Sequence, residues 1–322
     1  MSKKHLYLSV FFILSFLLFS YKTSFKKALT FDNSVIIGKS HFPIWDLMEY
    51  QLKTNSRSVQ LKNYPTYKES LNAFIAGETT VSMGTIYEAI LAKSKGINVK
   101  IILLLDYTIG ADAILSNKKL NYLSELKGKS IGVEYGSVAH YTALKAIDKS
   151  GLSPDDCQFI FKPMPELIPL FNTKEIDIIS TYEPHLSTIL TRNKETQLLF
   201  SSREIPRKIC DVIFINKDLV SIDSQKKLFK QWMKIAKKIK NNPHRISEEM
   251  KSWHKENNKN HPFNTKGIYI TGYADNHIAF SKDSFLEQSL KEMMSFMLEQ
   301  KIIEKPVPIS DMIEYQTGNH TL

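Results

Sequence analysis

The sequence predicts an α/β protein of two lobes, and three observations predict it. Short β-rich runs alternate with helical patterns from residue 35 to residue 216, the signature of strands joined by crossover connections. One of those runs, VKIILLLDY (residues 99–107), is apolar almost throughout, as a strand buried on both faces must be. The chain has 322 residues, 43% hydrophobic and 24% charged, which is long enough to bury a sizeable core in each of two lobes. Gly and Pro number only 12 each, so no low-complexity tract competes with this reading, and no repeat of solenoid period is present.

The elements follow in order. Lys3 and Lys4 precede an uncharged apolar run, LYLSVFFILSFLLFSY (residues 6–21), and Lys22, Lys26 and Lys27 follow it. A basic flank and an apolar stretch shorter than the roughly 20 residues of a spanning helix have the form of an export signal, with an uncleaved anchor as the alternative. VIIG opens the body as a strand, then come the segment at residues 42–50, VQLKNY, a helix TYKESLNAFIAG closed by Gly77, and the strand TTVSM. A helix from Thr85 to near Gly96 leads into the long apolar strand, and DAILSN resumes as strand. LKGKSIGVEYGSVAHYTALKAI (residues 126–147) starts a new unit: the strand SIGVEY, a turn at Gly136 and a helix closed by Gly151. QFIFKP, a helix from Pro165, IDIIS and a helix after Pro184 complete it. ICDVIFIN is the last long strand, and the tail reads as almost purely helical, its helices returning to the first lobe. The boundaries that result are 1–30 for the signal or anchor, 31–113 for the first part of lobe one, 114–210 for lobe two, and 211–322 for the return and the C-terminal helices.

Charge and cysteine usage exclude more than they assign. Of a net charge of +10, residues 224–260 carry +8, from 11 Lys and Arg against 3 Asp and Glu. Leu228, Trp232, Ile235 and Ile239 recur there at helical spacing, which puts the lysines on the solvated face of an amphipathic helix. With no interleaved base-stacking residues, nucleic acid is not a partner. Cys157 and Cys210 are the only cysteines, 53 positions apart, so neither a metal motif nor a disulfide framework is readable.

The turn in GVEYGSVAH has one glycine, so the three-glycine fingerprint that receives a dinucleotide is absent. What remains is a helix start with free backbone N–H groups and Ser137 in the cap position, an end that attracts an anionic group unless Ser137 only caps it.

LSELKGKSIGVEYGSVAHY resembles the hallmark segment of the periplasmic substrate-binding proteins of ABC transporters, in the nitrate/sulfonate/taurine (SsuA/THI5-like, NMT1-like) family. LDYTIGADAIL, DIISTYEPHL, SSREIPRKICDVIFIN and NNPHRISEEM resemble further segments of that family, in the same order, so the similarity covers roughly residues 35–253. The resemblance implies a type II periplasmic-binding-protein fold, two α/β lobes joined by two hinge strands near residues 112–117 and 209–216, with a central ligand cleft. The loops lining it would be Ser40 to Trp45 with Phe42, then Gly84, Thr85 and Tyr87, then Asp106 and Tyr107, then Glu134, Gly136, Ser137 and His140, and last Tyr182 and Glu183. Phe42, Trp45, Tyr107 and Tyr182 would supply aromatic walls, the helix starts at Thr85 and Ser137 would take an anionic group, and Asp106, Glu134 and Glu183 would suit an amine or a protonated ring. For Trp45 and Tyr87 a place in the lobe core is the competing reading, for Glu183-Pro184 a turn, and for His140 a helix surface.

The resemblance therefore implies a solute-binding component of an ABC importer. It captures a small anionic or zwitterionic, sulfonate-like or pyrimidine-like molecule and delivers it to a permease and its ATPase. It implies a monomer in the periplasm, no cofactor, no metal and no catalytic residue, with membrane contact only through an uncleaved N-terminus. A membrane-anchored sensory binding module is the alternative. A THI5-like pyrimidine-forming enzyme is a third, which two isolated cysteines cannot supply with that group's cysteine-rich iron motif.

Overall fold

A computed structural model describes residues 35–55, 59–259 and 263–314, and the apolar run at residues 6–21 lies outside them. The chain begins β1 (Ile36–Lys39), α1 (Pro43–Asn55), β2 (Gln60–Asn63), α2 (Tyr67–Ile75), β3 (Val81–Thr85), α3 (Ile86–Ser94) and β4 (Val99–Thr108). It continues β5 (Asp112–Ser116), β6 (Ser130–Val133), α4 (Val138–Lys149), β7 (Gln158–Phe161), α5 (Met164–Asn172), β8 (Ile178–Tyr182), α6 (His185–Arg192) and β9 (Gln197–Ser201). The remainder is β10 (Cys210–Asn216), α7 (Ile222–Asn241), α8 (Pro243–Glu256), β11 (Ile268–Ile270), α9 (Tyr273–Ala279) and α10 (Phe285–Glu299).

Two sheets form. The first has the order β11-β4-β10-β3-β1-β2 and the second β7-β6-β8-β5-β9. In each, parallel strands are joined through helices, and one or more antiparallel strands are inserted. β4 and β10 lie at the middle of the first sheet and are buried on both faces. Leu104, Val212 and Phe214 pack with α2, α3 and α10, while Leu103, Leu105, Ile213 and Ile215 pack with α1, α7 and α8. That is why both strands read as near-continuous apolar runs. The second sheet is covered by α4 on one face and by α5 and α6 on the other.

Two strands escape the sequence reading, β9 and β11. β11 has three residues at a sheet edge, too few for a period of two to show, so the tail is not purely helical. The sheets are joined by residues 109–111 before β5 and by residues 202–209 before β10. The sequence places the crossings slightly later, in β5 and β10 themselves; each of these strands lies wholly within one sheet. No helix among the described residues is long and apolar enough to cross a membrane.

Candidate functional site

The site is where strand ends of the two sheets meet. Lys39, Thr85 and Thr108 end β1, β3 and β4, with Cys210 and Asp211 starting the antiparallel β10 beside them. Across from these, Val133 and Tyr182 end β6 and β8, and Asp112 starts β5. Register brings side chains together: Asp211 is paired with Thr85 on one side and Asp106 on the other, and Asp112 is paired with Tyr182. The rings of Tyr67 and Tyr182 meet edge-on, 5.5 Å apart, joining the start of α2 to the second sheet. Trp45 lies 5.1 Å from Tyr67 and Phe42 lies 5.5 Å from Trp45, so an aromatic row leads from α1 to the Tyr182 ring.

Carboxyl groups surround this row. Burial raises Glu88, against the hydrogen bonds it receives from Thr85, and burial raises Asp112 to about 6. Asp106 and Asp211 are both held well above the usual carboxylate range, first by burial and, for Asp211, next by the charge of Asp106, so the pair retains a proton. Burial likewise raises Glu134 and Glu183. Glu134 accepts from Met164 N at 3.0 Å and from the Tyr182 hydroxyl at 3.2 Å, and Glu183 accepts from the Ser187 hydroxyl at 2.6 Å.

At the two helix starts expected to take an anion the chain makes side-chain caps of its own. At α3, Glu88 Oε2 accepts from Thr85 N at 2.8 Å and from the Thr85 hydroxyl at 2.5 Å, while Thr85 Oγ1 accepts from Tyr87 N. At α4, the Ser137 hydroxyl donates to Glu134 O at 2.7 Å and accepts from His140 N, and Gly136 N donates to His140 Nδ1 at 3.3 Å. His140 is not on the helix surface: it is 2% exposed, packed against Tyr135, Phe159, Phe161 and Phe296, and burial lowers it to about 4.

The other expected residues are placed as follows. Ser40 and Trp45 are buried, and neither Ser40 Oγ nor Trp45 Nε1 has a hydrogen-bond partner among the described residues. Gly84 packs under the Phe214 ring, where a Cβ would lie 3.1 Å from a ring carbon. Tyr87 is buried and its hydroxyl lies near Gly136, across the junction of the sheets. Tyr107 does not share a face with Asp106; its ring stacks on Tyr269 at 4.7 Å and lies beneath Arg207. The sequence reading missed Tyr67, Glu88, Asp112 and Asp211, because strand register and cross-sheet contacts bring them in. It also missed Lys39, which is fully buried and bonded to Asp46 at 2.6 Å and Glu49 at 3.0 Å. Although burial pushes both acids up, His254, Lys39 and Lys259 hold Asp46 well below its ordinary range, and Lys39, Lys53 and Lys259 hold Glu49 at about 2.

Two α/β units joined by two links, with polar side chains where their strand ends meet, define the architecture of a periplasmic binding protein. The periplasmic aliphatic sulphonate binding protein SsuA of Escherichia coli has this fold, with a TM-score of 0.68 at 15% identity over 89% of this chain and 94% of that one. The chain belongs to the NMT1/THI5-like family, which it matches over residues 57–243. A binding protein of Brucella abortus is 29% identical over 79 residues, 24% of this chain and 25% of that one. The taurine-binding periplasmic protein of Escherichia coli is 20% identical over 169 residues, 52% of each chain. The chain thus spans about a quarter of the length of the first of these curated relatives and about half of the second.

Proposed function

We propose that this protein is the solute-binding component of an ABC importer, exported to the periplasm, where it captures a small molecule between two lobes and passes it to a permease. The observation that carries the reading is the meeting of Tyr67 and Trp45 from the first sheet's side with Tyr182 and Asp112 from the second, at the strand ends where open α/β sheets take ligands. Family membership and the shared fold support it. The protein acts as a monomer, and residues 6–21 serve export. The fold also carries a desulfurization enzyme, matched with a TM-score of 0.61 at 11% identity, so capture must be told from conversion.

The test is a thermal-shift and calorimetric screen of the purified protein against sulfonates, nitrate, amines and pyrimidines. A ligand of the folded state raises the melting temperature by mass action and is recovered chemically unchanged. Conversion of the bound molecule on incubation, or no shift from any class, overturns the reading.

A further inference from the structure

We propose that the cleft selects a positively charged organic solute, an amine, amidine or protonated ring, with its N–H groups directed at Asp106, Asp112, Asp211 and Glu88 and its body against Tyr67 and Tyr182. This rests on the reading of the junction between the sheets as the solute site.

Four observations carry it. First, the acidic groups come from both sheets and converge: the Tyr67 hydroxyl lies within electrostatic reach of Asp211, Glu88, Asp112 and Tyr182, and Tyr182 within reach of Glu134, Glu88 and Asp112. Second, Asp106 is fully buried and Asp112 nearly so; Asp106 shares a hydrogen bond with Asp211, and Asp112 has the Thr108 and Ser202 hydroxyls beside it, yet no N–H of the described residues reaches either oxygen of Asp106 or Oδ2 of Asp112. Buried carboxyl oxygens that no N–H reaches are what an N–H-rich cation satisfies. Third, the cation at the end of β1 is already engaged. Lys39 is neutralised by Asp46 and Glu49, and Thr85 and Ser137 use their hydroxyls to cap α3 and α4. Fourth, the Tyr67 and Tyr182 rings, 5.5 Å apart at an interplanar angle of 80°, offer a ring face, the negative side of the quadrupole, against which a cation is held. An anion entering here would meet a cluster of acids and raise them further, whereas a cation would favour their charged forms and gain an ion pair in a poorly solvated space.

The experiment measures binding by calorimetry near neutral pH, using benzylammonium and agmatine as cations and ethanesulfonate, benzenesulfonate and nitrate as anions. Binding of a cation and of none of the anions is expected. Asp112→Asn and Asp211→Asn, shown folded by circular dichroism, should each weaken the cation about ten- to a hundredfold. Lys226→Gln serves as the comparison and should change nothing. If an anion binds as tightly as either cation, the inference fails while the solute-binding reading stands. If the cations bind but both aspartate variants keep full affinity, the assignment to these carboxyls fails. If neither class binds, the inference fails, and the solute-binding reading is decided by the wider screen that includes pyrimidines.

Discussion

Asp112 ties the stability of the empty protein to pH. Burial raises its carboxyl from 3.8 to about 6, so the folded chain holds the proton more tightly than the unfolded chain does. That contribution is complete below the unfolded value and is lost as pH rises through about 6. His140 acts in the opposite sense. Burial lowers it from 6.5 to about 4, so its contribution is present above the unfolded value and is lost as pH falls through about 4. The two slopes offset each other in the wild type, and only a difference between proteins isolates Asp112. Asp112→Asn, which imitates the protonated acid, should match the wild type near pH 4 and exceed it by on the order of 2 kcal/mol near pH 7.5. Urea melts of both proteins at the two pH values check this, and a gap independent of pH would refute it. Ser137 gives a second prediction at this scale. Its hydroxyl accepts from His140 N at 3.2 Å in a cap geometry, so Ser137→Ala should cost about 1 kcal/mol of stability, read from the same melts. The cap was legible in the sequence because it depends on neighbours three residues apart. The pairing of Asp211 with Asp106 was not, since residues 105 positions apart meet only through the register of β4 and β10.

At the scale of elements, the helices and long strands were legible wherever burial imposes a period, and illegible where elements are short or held by single contacts. β11 is placed at its sheet edge by such contacts. Ile109 N donates to Gly267 O at 2.7 Å, and Asn276 bonds Leu104 through both its side-chain oxygen and nitrogen, anchoring α9 to β4. Gly267 has a φ of +76°, and a Cβ there would lie 2.5 Å from the carbonyl carbon of Gly110 and 2.6 Å from Ala111 N. Those atoms belong to the link between the sheets, so the glycine is required both for its own backbone and for the approach of that link. Gly267→Ala should lower stability by about 2 kcal/mol or more, visible as a fall in melting temperature. Substitution of Gly77, which has a similar φ but nothing within 4 Å, should cost less. Equal losses at both positions would show that backbone strain alone matters and that the close approach to Gly110 does not.

For the whole molecule, the contacts that join the two sheets are unequal, and the inequality predicts how the cleft opens. On one side α10 is tied to the second sheet's helix: Glu292 accepts from the Tyr141 hydroxyl at 2.7 Å and pairs with Lys145 at 2.7 Å and Lys208 at 2.5 Å, and the Tyr135 hydroxyl donates to Gln300 O at 2.7 Å. Although burial raises Glu292, those three donors bring it down to about 2, so the cluster stays charged across the working range of pH. On the other side the Tyr67 and Tyr182 rings meet edge-on, a contact of about 1 kcal/mol, and Asn264 donates to the Ser187 hydroxyl at 2.9 Å, neutral contacts that a rotation of a few degrees would separate. Rotation about residues 109–111 and 202–209 should therefore open the aromatic side and leave the Glu292 side closed, in the manner of a hinge. Solution scattering of the ligand-free protein should give a larger radius of gyration than that of the saturated complex. Glu292→Ala should expand the free protein further and weaken ligand, because the closed form then lacks its fixed side, whereas Tyr67→Ala should weaken ligand without expanding the free protein. Identical scattering profiles with and without saturating ligand would mean that the two sheets move as one body, and that solute reaches the carboxyl cluster by local opening around Tyr67 instead.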